Sequence, residues 1–397
     1  MTYETSDIAK EASTDPATLF SSSVNDRNSN IRDTGLILTK DQIKSLKIYE
    51  VTALALPTSL RDVVNYLGYR SGAGNGLEAV DFQKTFTIIH NHASQWNPLR
   101  TDLISVGDKL EIFAKKMQVY GVNMTRLFQR IDSTGIREKY NIETLEDLRE
   151  LELAPGDEFP VVLPTHRRNF GAVLDRILQD VEEQEAEAHS IRRCLADFGE
   201  ELATTVHREV RLKLASIDNN TLGADIKALQ VQIDERAKAI DEKTKEYNAF
   251  VEKAVSGVFV NLALTIYASV QAEKVRKERN RMRKEQEKAI AAQARKNTIL
   301  ASLNRVRLDL QDLDLIVIDA DIATKNLIVV WNRMSTFITS SREQADKIDN
   351  GLDLFLFELD FENVVAPWKN VEQDARKLLD VFEQADIEFR QEYGTNK

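Results

Sequence analysis

Between Pro164 and Pro367 the chain runs for about two hundred residues without a proline, the residue that removes an amide donor from a helix and clashes with the preceding turn. Five glycines fall in that stretch, each weakening a helix interior by about 1 kcal/mol relative to alanine. So few breakers permit helices far longer than the globular average of roughly 11–12 residues. The stretch is predicted to form a long helical hairpin.

Apolar periodicity predicts how the arms pair. Leu174, Ile177, Val181, Ala188, Ile191, Leu195, Phe198 and Leu202 follow steps of three and four, interrupted at Gln184 and Thr205. Ile299, Leu303, Val306, Leu310, Leu313, Val317, Ala320, Leu327, Trp331, Met334 and Ile338 do the same, interrupted at Thr324. A seam this long implies coiled-coil packing. The segment Ile217-Asp218-Asn219-Asn220-Thr221-Leu222-Gly223 predicts a kink or break in the first arm. Shorter helices precede the hairpin: Thr39 is placed to cap one from Lys40, and Asn97-Pro98 to start another that runs to about Asp132. Asp349-Asn350-Gly351 reads as a helix stop, and Pro367 as a kink.

Between the arms, residues 254–270 contain no charged side chain, in a chain that is 29% charged. Seventeen residues of helix cover roughly 25 Å, just short of the ~20 residues that cross a bilayer comfortably. A marginal or re-entrant membrane anchor is expected. Val255, Val258, Phe259, Leu262, Ile266, Tyr267 and Val270 are the candidates for lipid contact. Gly257, Asn261, Thr265 and Ser269 recur every fourth residue as a small, polar stripe suited to helix packing. Arms of nearly equal length place this segment at the far end of the hairpin. Lys274, Arg276, Lys277, Arg279, Arg281, Arg283 and Lys284 follow it and are candidates for anionic lipid headgroups.

The expected fold is all-α, an elongated helical bundle with a long coiled-coil hairpin stalk carrying an uncharged, membrane-active tip. Its expected parts are a polar, disordered leader over 1–35 and a tail bundle over 36–168 with 345–397. The stalk is 169–253 with 271–344, and the tip is 254–270, with a basic flank at 274–284.

Charge and cysteine content exclude other classes. Lys and Arg number 53 against 64 Asp and Glu, a formal charge of −11 that argues against nucleic-acid partners. Cys194 is the single thiol, so neither an intrachain disulfide nor a multi-cysteine metal site is available. The N-terminus lacks the basic region and apolar core of a Sec signal. His90 and His92 point apart on a helix, as residues two apart do. Ser71-Gly72-Ala73-Gly74-Asn75-Gly76 lacks the Gly-Lys-Ser/Thr of a phosphate loop. Asp312-Leu313-Asp314 and Asp319-Ala320-Asp321 flank seam positions and read as the polar edge of the heptad. No catalytic constellation emerges, and no cofactor or metal is expected.

A polar leader, a helical bundle, a long coiled-coil hairpin with an uncharged tip and a returning C-terminal helix resemble the cytolysin A-like α-pore-forming toxins. The tip AVSGVFVNLALTIYASVQ followed by EKVRKERNRMRK looks most like the A component of the Xax/Yax-type binary cytotoxins. The resemblance implies a soluble monomer that meets a B component on a target-cell membrane and joins a hetero-oligomeric, ring-shaped lytic pore. It further implies that the B component supplies the main membrane-spanning helices. The heptads by themselves also fit a non-lytic coiled-coil scaffold or membrane tether. Such a scaffold gives no physical reason for seventeen uncharged residues at its far end.

Overall fold

The computed structural model describes residues 12–14, 36–71, 76–131, 161–217, 223–256 and 270–393. The helices are α1 (Lys40–Leu54), α2 (Leu60–Leu67), α3 (Ala79–Ser94), α4 (Trp96–Ile131), α5 (Pro164–Glu201), a π-turn (Leu202–Val206) and α6 (His207–Ser216). They continue with α7 (Ala224–Ser256), α8 (Val270–Ala294), α9 (Thr298–Ala345), α10 (Gly351–Val365) and α11 (Trp368–Tyr393). Among the described residues the only β-type pairing is the isolated bridge between Val161 and Asn350. The fold is all-α.

Local chemistry sets the boundaries. Thr39 caps α1 through a reciprocal capping box: its hydroxyl accepts from Gln42 N at 3.3 Å, and Gln42 Oε1 accepts from Thr39 N at 2.8 Å. Asn350 does not stop a helix. Its Oδ1 accepts from Asp353 N at 3.0 Å and caps the start of α10. Pro367 separates α10 from α11, as a residue without an amide donor should. The interruption at Thr205 is taken up by the π-turn. Burial passes from Leu202 to Val206 and on to Val210, one residue later than three-four spacing predicts. A π-turn inserts that one residue.

The chain packs as two compact units, and α4, α5, α9 and α11 each contribute to both. One unit takes 105–189 and 325–379 together with residues from the N-terminus. Its core is aromatic. Phe113 meets Trp331 and Trp368 edge-on at 5.0 and 4.8 Å between ring centroids, and Phe128 packs on Phe170 at 5.3 Å.

The other unit takes 25–104, 190–324 and 380–397. Residues 36–104, expected within a tail bundle, belong here instead. The reason is visible on α1 and α3, where Tyr49 donates to or accepts from His92 Nδ1 at 2.7 Å while His92 stacks on Phe198 of α5 at 4.2 Å. His92 Nε2 completes the bridge with the Phe198 carbonyl at 3.0 Å. Burial pulls the His92 pKa below its ordinary value and raises that of Tyr49. This histidine is a core bracket.

Candidate membrane-active hairpin

The site is built from α7 and α8, the helices on either side of the uncharged segment. Val255 lies in the last turn of α7, and Val270 opens α8. Val258, Phe259, Leu262, Ile266 and Tyr267 lie outside the described residues, as do Gly257, Asn261, Thr265 and Ser269. Among the described residues no helix is long and apolar enough to cross a membrane.

The direction of the hairpin differs from expectation. Helix α7 runs back against α6 instead of continuing the first arm past a kink. Along α9, Arg307 pairs with Asp234 at 2.8 Å, Gln311 with Asp241 at 2.6 Å and Asp319 with Tyr247 at 2.7 Å. Residue numbers rise together, so α7 runs parallel to α9. On α8 they run oppositely: Gln293 bonds Asn304 at 2.8 Å, and Arg279 bonds Asp312 at 3.1 Å. The turn at 295–297 reverses the chain again, with Asn297 Oδ1 capping α9 through Leu300 N at 3.0 Å. The first arm, for its part, lies antiparallel to α9, with Arg192 on Asp321 at 3.0 Å and His207 on Asp314 at 3.0 Å. Gly199 permits the close approach, since a Cβ there would stand 2.6 Å from Val317. The α7–α8 hairpin is therefore folded back along the central helix. Toward its open end, Tyr247 of α7 and Ala272 and Val275 of α8 pack on Leu315 and Ile322 of α9.

Two kinds of contact hold the hairpin. Apolar clusters join Ile233, Ile240 and Ile290 to Ala301 and Leu308, and Tyr247, Ala272 and Val275 to Leu315 and Ile322. Between them runs a buried polar ladder. Gln230 Oε1 accepts from Gln293 Nε2 at 2.8 Å and Asn304 Nδ2 at 2.7 Å, tying α7, α8 and α9 at one level. Gln311 Nε2 donates to the Ala237 carbonyl at 2.9 Å, and Gln286 Nε2 to the Ile233 carbonyl at 2.7 Å. Arg279 is 1% exposed and donates to Asp312, to Thr244 Oγ1 at 2.8 Å and to the Gln311 carbonyl. Arg283 shares the Asp312 carboxylate. Asp319 accepts from Tyr247 of α7 and from Gln42 of α1 at 2.6 Å, so α1 closes the same interface.

These contacts correct two readings. Arg276, Arg279 and Arg283, expected at lipid headgroups, face inward onto carboxylates: Arg276 bonds Glu273 at 2.8 Å, and the other two hold Asp312. Lys274, Lys277, Arg281 and Lys284 are exposed. The acidic pairs on α9 are not a passive polar edge either. Asp312 and Asp319 are buried partners of the hairpin, and Asp314 and Asp321 bind the first arm. Buried beside them, Asp309 is bonded by Arg305 at 3.2 Å. Burial pushes its carboxyl up to about 7, against the pull of Arg305 and Arg283 and with the help of Asp312.

Known structures share this helical arrangement. The Bacillus cereus HblL1 toxin component aligns over 92% of this chain and 96% of its own, with a TM-score of 0.55 and 13% identity. SmhA, from the tripartite α-pore-forming toxin Smh of Serratia marcescens, aligns over 93% and 94%, with a TM-score of 0.50 and 13% identity. The chain shares the helical fold of these two toxin components. YaxA from Yersinia enterocolitica is 26% identical over 90% of this chain and all of its own, with a TM-score of 0.48. No protein-family model and no curated protein matches the sequence. Within this shared fold, α7 and α8 flank the uncharged segment.

The sequence reading missed the return of the hairpin. The signal was present in what the heptads omit. Neither seam extends through 206–298, and Asn297-Thr298 stands where a new helix is capped.

Proposed function

We propose that this chain is the A component of a two-component α-helical pore-forming cytotoxin. It acts as a secreted, soluble monomer that meets a B component on the target-cell membrane. There it becomes part of a hetero-oligomeric lytic ring. It acts by insertion and assembly and catalyses no reaction. What carries this reading is a single juxtaposition, an uncharged segment of seventeen residues joining α7 and α8 on an α-pore-forming toxin fold. The folded-back hairpin is the stored form of that segment. Its docking face is rich in Gln, Asn, Arg and Asp, side chains that tolerate water once the hairpin leaves, whereas an all-apolar face would resist release. Asn304 Oδ1 and Gln311 Oε1 receive no hydrogen bond from the described residues, and each buried orphan costs about 1–3 kcal/mol. The docked state is thus held without being maximally stable.

Dye release from vesicles tests the function. The purified chain alone should release little, because its segment is short for a span, and release should rise sharply when the B component is added. Ile266→Arg should leave a folded, monomeric protein with most of the joint activity lost, since a charge at a membrane centre costs about 2.5–3.5 kcal/mol per copy. Strong, saturable release by this chain alone would refute the binary reading. Normal activity of Ile266→Arg would take the segment out of the membrane.

A further inference from the structure

The exposed basic residues of α8 are not scattered. Lys274, Lys277, Arg281, Lys284 and Lys288 recur at steps of three and four, and all five are exposed. At 100° per residue they occupy an arc of about 80° and extend about 21 Å along the helix. Arg276, Arg279 and Arg283 point to the opposite side, where carboxylates engage them. One helix therefore carries two basic faces with different work. The inner face bolts the hairpin to the body, and the outer face is turned to solvent.

Three acidic residues flank that outer stripe, against its five cations. Glu278 pairs with Lys243 of α7 at 2.9 Å and lies near Lys274 and Arg281, and Glu273 holds Arg276 while standing 3.9 Å from Lys277. Glu285 lies at the stripe's edge. In a chain with a net charge of −11, five exposed cations in one line run against the overall composition. The stripe also starts four residues after the uncharged segment ends.

We propose that this stripe is a docking surface for anionic lipid, and that it works while the hairpin is still folded back. The inference rests on the pore-forming reading and adds the lipid class and the residues that recognise it. Charge complementarity commits the surface to a bilayer: a line of cations about 21 Å long, exposed on one helix face, spans several headgroups at once. Contact along the stripe lays α8 on the membrane and brings the uncharged segment to the interface before any undocking. The inner arginines are untouched by this contact, so binding and release are separate steps.

The experiment is vesicle co-sedimentation of the full chain without B component, on phosphatidylcholine vesicles with and without phosphatidylserine. Binding should require phosphatidylserine and weaken as salt is raised. Each neutralised position should weaken it by about fivefold. The combined variant Lys274→Gln, Lys277→Gln, Arg281→Gln, Lys284→Gln and Lys288→Gln should fall to the level seen on phosphatidylcholine. Its thermal midpoint should stay near wild type, because all five residues are exposed. A control that neutralises the exposed Arg61, Arg126, Arg130, Arg208 and Lys238 should bind nearly as wild type does. Equal loss in the control would reduce the effect to net charge and overturn the proposal. So would wild-type binding by the stripe variant, or binding that ignores phosphatidylserine. A stripe variant that keeps vesicle binding but no longer binds the B component would make this a protein surface, and the lipid assignment would fall. The two readings fail separately. A chain that binds through the stripe yet never supports release with B overturns the proposed function alone. Full release with B by the stripe variant overturns only the lipid surface.

Discussion

Asp309 is 3% exposed on α9, bonded by Arg305 on its own helix and near Arg283 of α8, Asp312 of α9 and Tyr49 of α1. Desolvation raises its pKa from 3.8 to about 7, so the folded protein holds this proton more tightly than the unfolded chain. Between those two values the native state binds more protons, and stability falls as pH rises. His92 has the opposite sign: its lowered pKa removes stability as pH falls below its ordinary value of 6.5. Comparing wild type with Asp309→Asn isolates the carboxyl from the imidazole. Between about pH 5 and pH 7 the wild-type melting midpoint should decline relative to that of the variant. Parallel melting curves across that range would show that Asp309 does not titrate there.

Helix α8 owes its position to a charge pair that hydrophobic patterning does not reveal. Arg279 and Arg283 share Asp312, and Arg279 is almost wholly shielded from water. Removing one partner of a buried pair strands the other charge, at about 3–5 kcal/mol, while exchanging the pair for apolar residues is often neutral. Asp312→Ala should therefore destabilise the protein by about 3–5 kcal/mol and expose the α7–α8 connection to limited proteolysis. Adding Arg279→Met to Asp312→Leu should recover much of the stability, since Arg283 retains Glu287 at 3.4 Å. The repaired protein should nonetheless lyse more slowly, because an apolar patch now glues down the hairpin. Proteolysis and thermal unfolding read the first effect, and the lag of dye release reads the second.

At the scale of the whole molecule, the proposed activity requires the hairpin to leave α9. Gln230 and Asn304 bond directly at 2.7 Å across that interface, which makes the pair a suitable lock. Replacing both with cysteine, in a background where the exposed Cys194 is serine, gives a chain that a disulfide or a short bifunctional reagent can close. The locked protein should fold, should still bind phosphatidylserine vesicles, and should give no release with the B component until reduced. Release by the locked form would mean that the hairpin works without undocking.

Much of this protein is legible from its residues in order. Proline and glycine placement sets long helices, Thr39 and Asn297 cap two of them, and the seam through Leu310, Leu313 and Val317 marks α9 as a packing helix. These are local consequences of steric fit and hydrogen-bonding need, written within a few residues of where they act. The direction of the hairpin is different. Runs 217–223 and 295–297 interrupt helix whether the chain bends slightly or turns back, so local sequence leaves both courses open. The choice rests on partners far apart in the chain: Asp319 with Tyr247 and Gln42, Asp312 with Arg279, Asn304 with Gln230 and Gln293. Only the folded chain brings those groups together, and burial then divides seven similar basic residues into inner bolts and an outer surface. Composition counts charges, but tertiary packing decides which of them meet a carboxylate and which stay exposed to solvent.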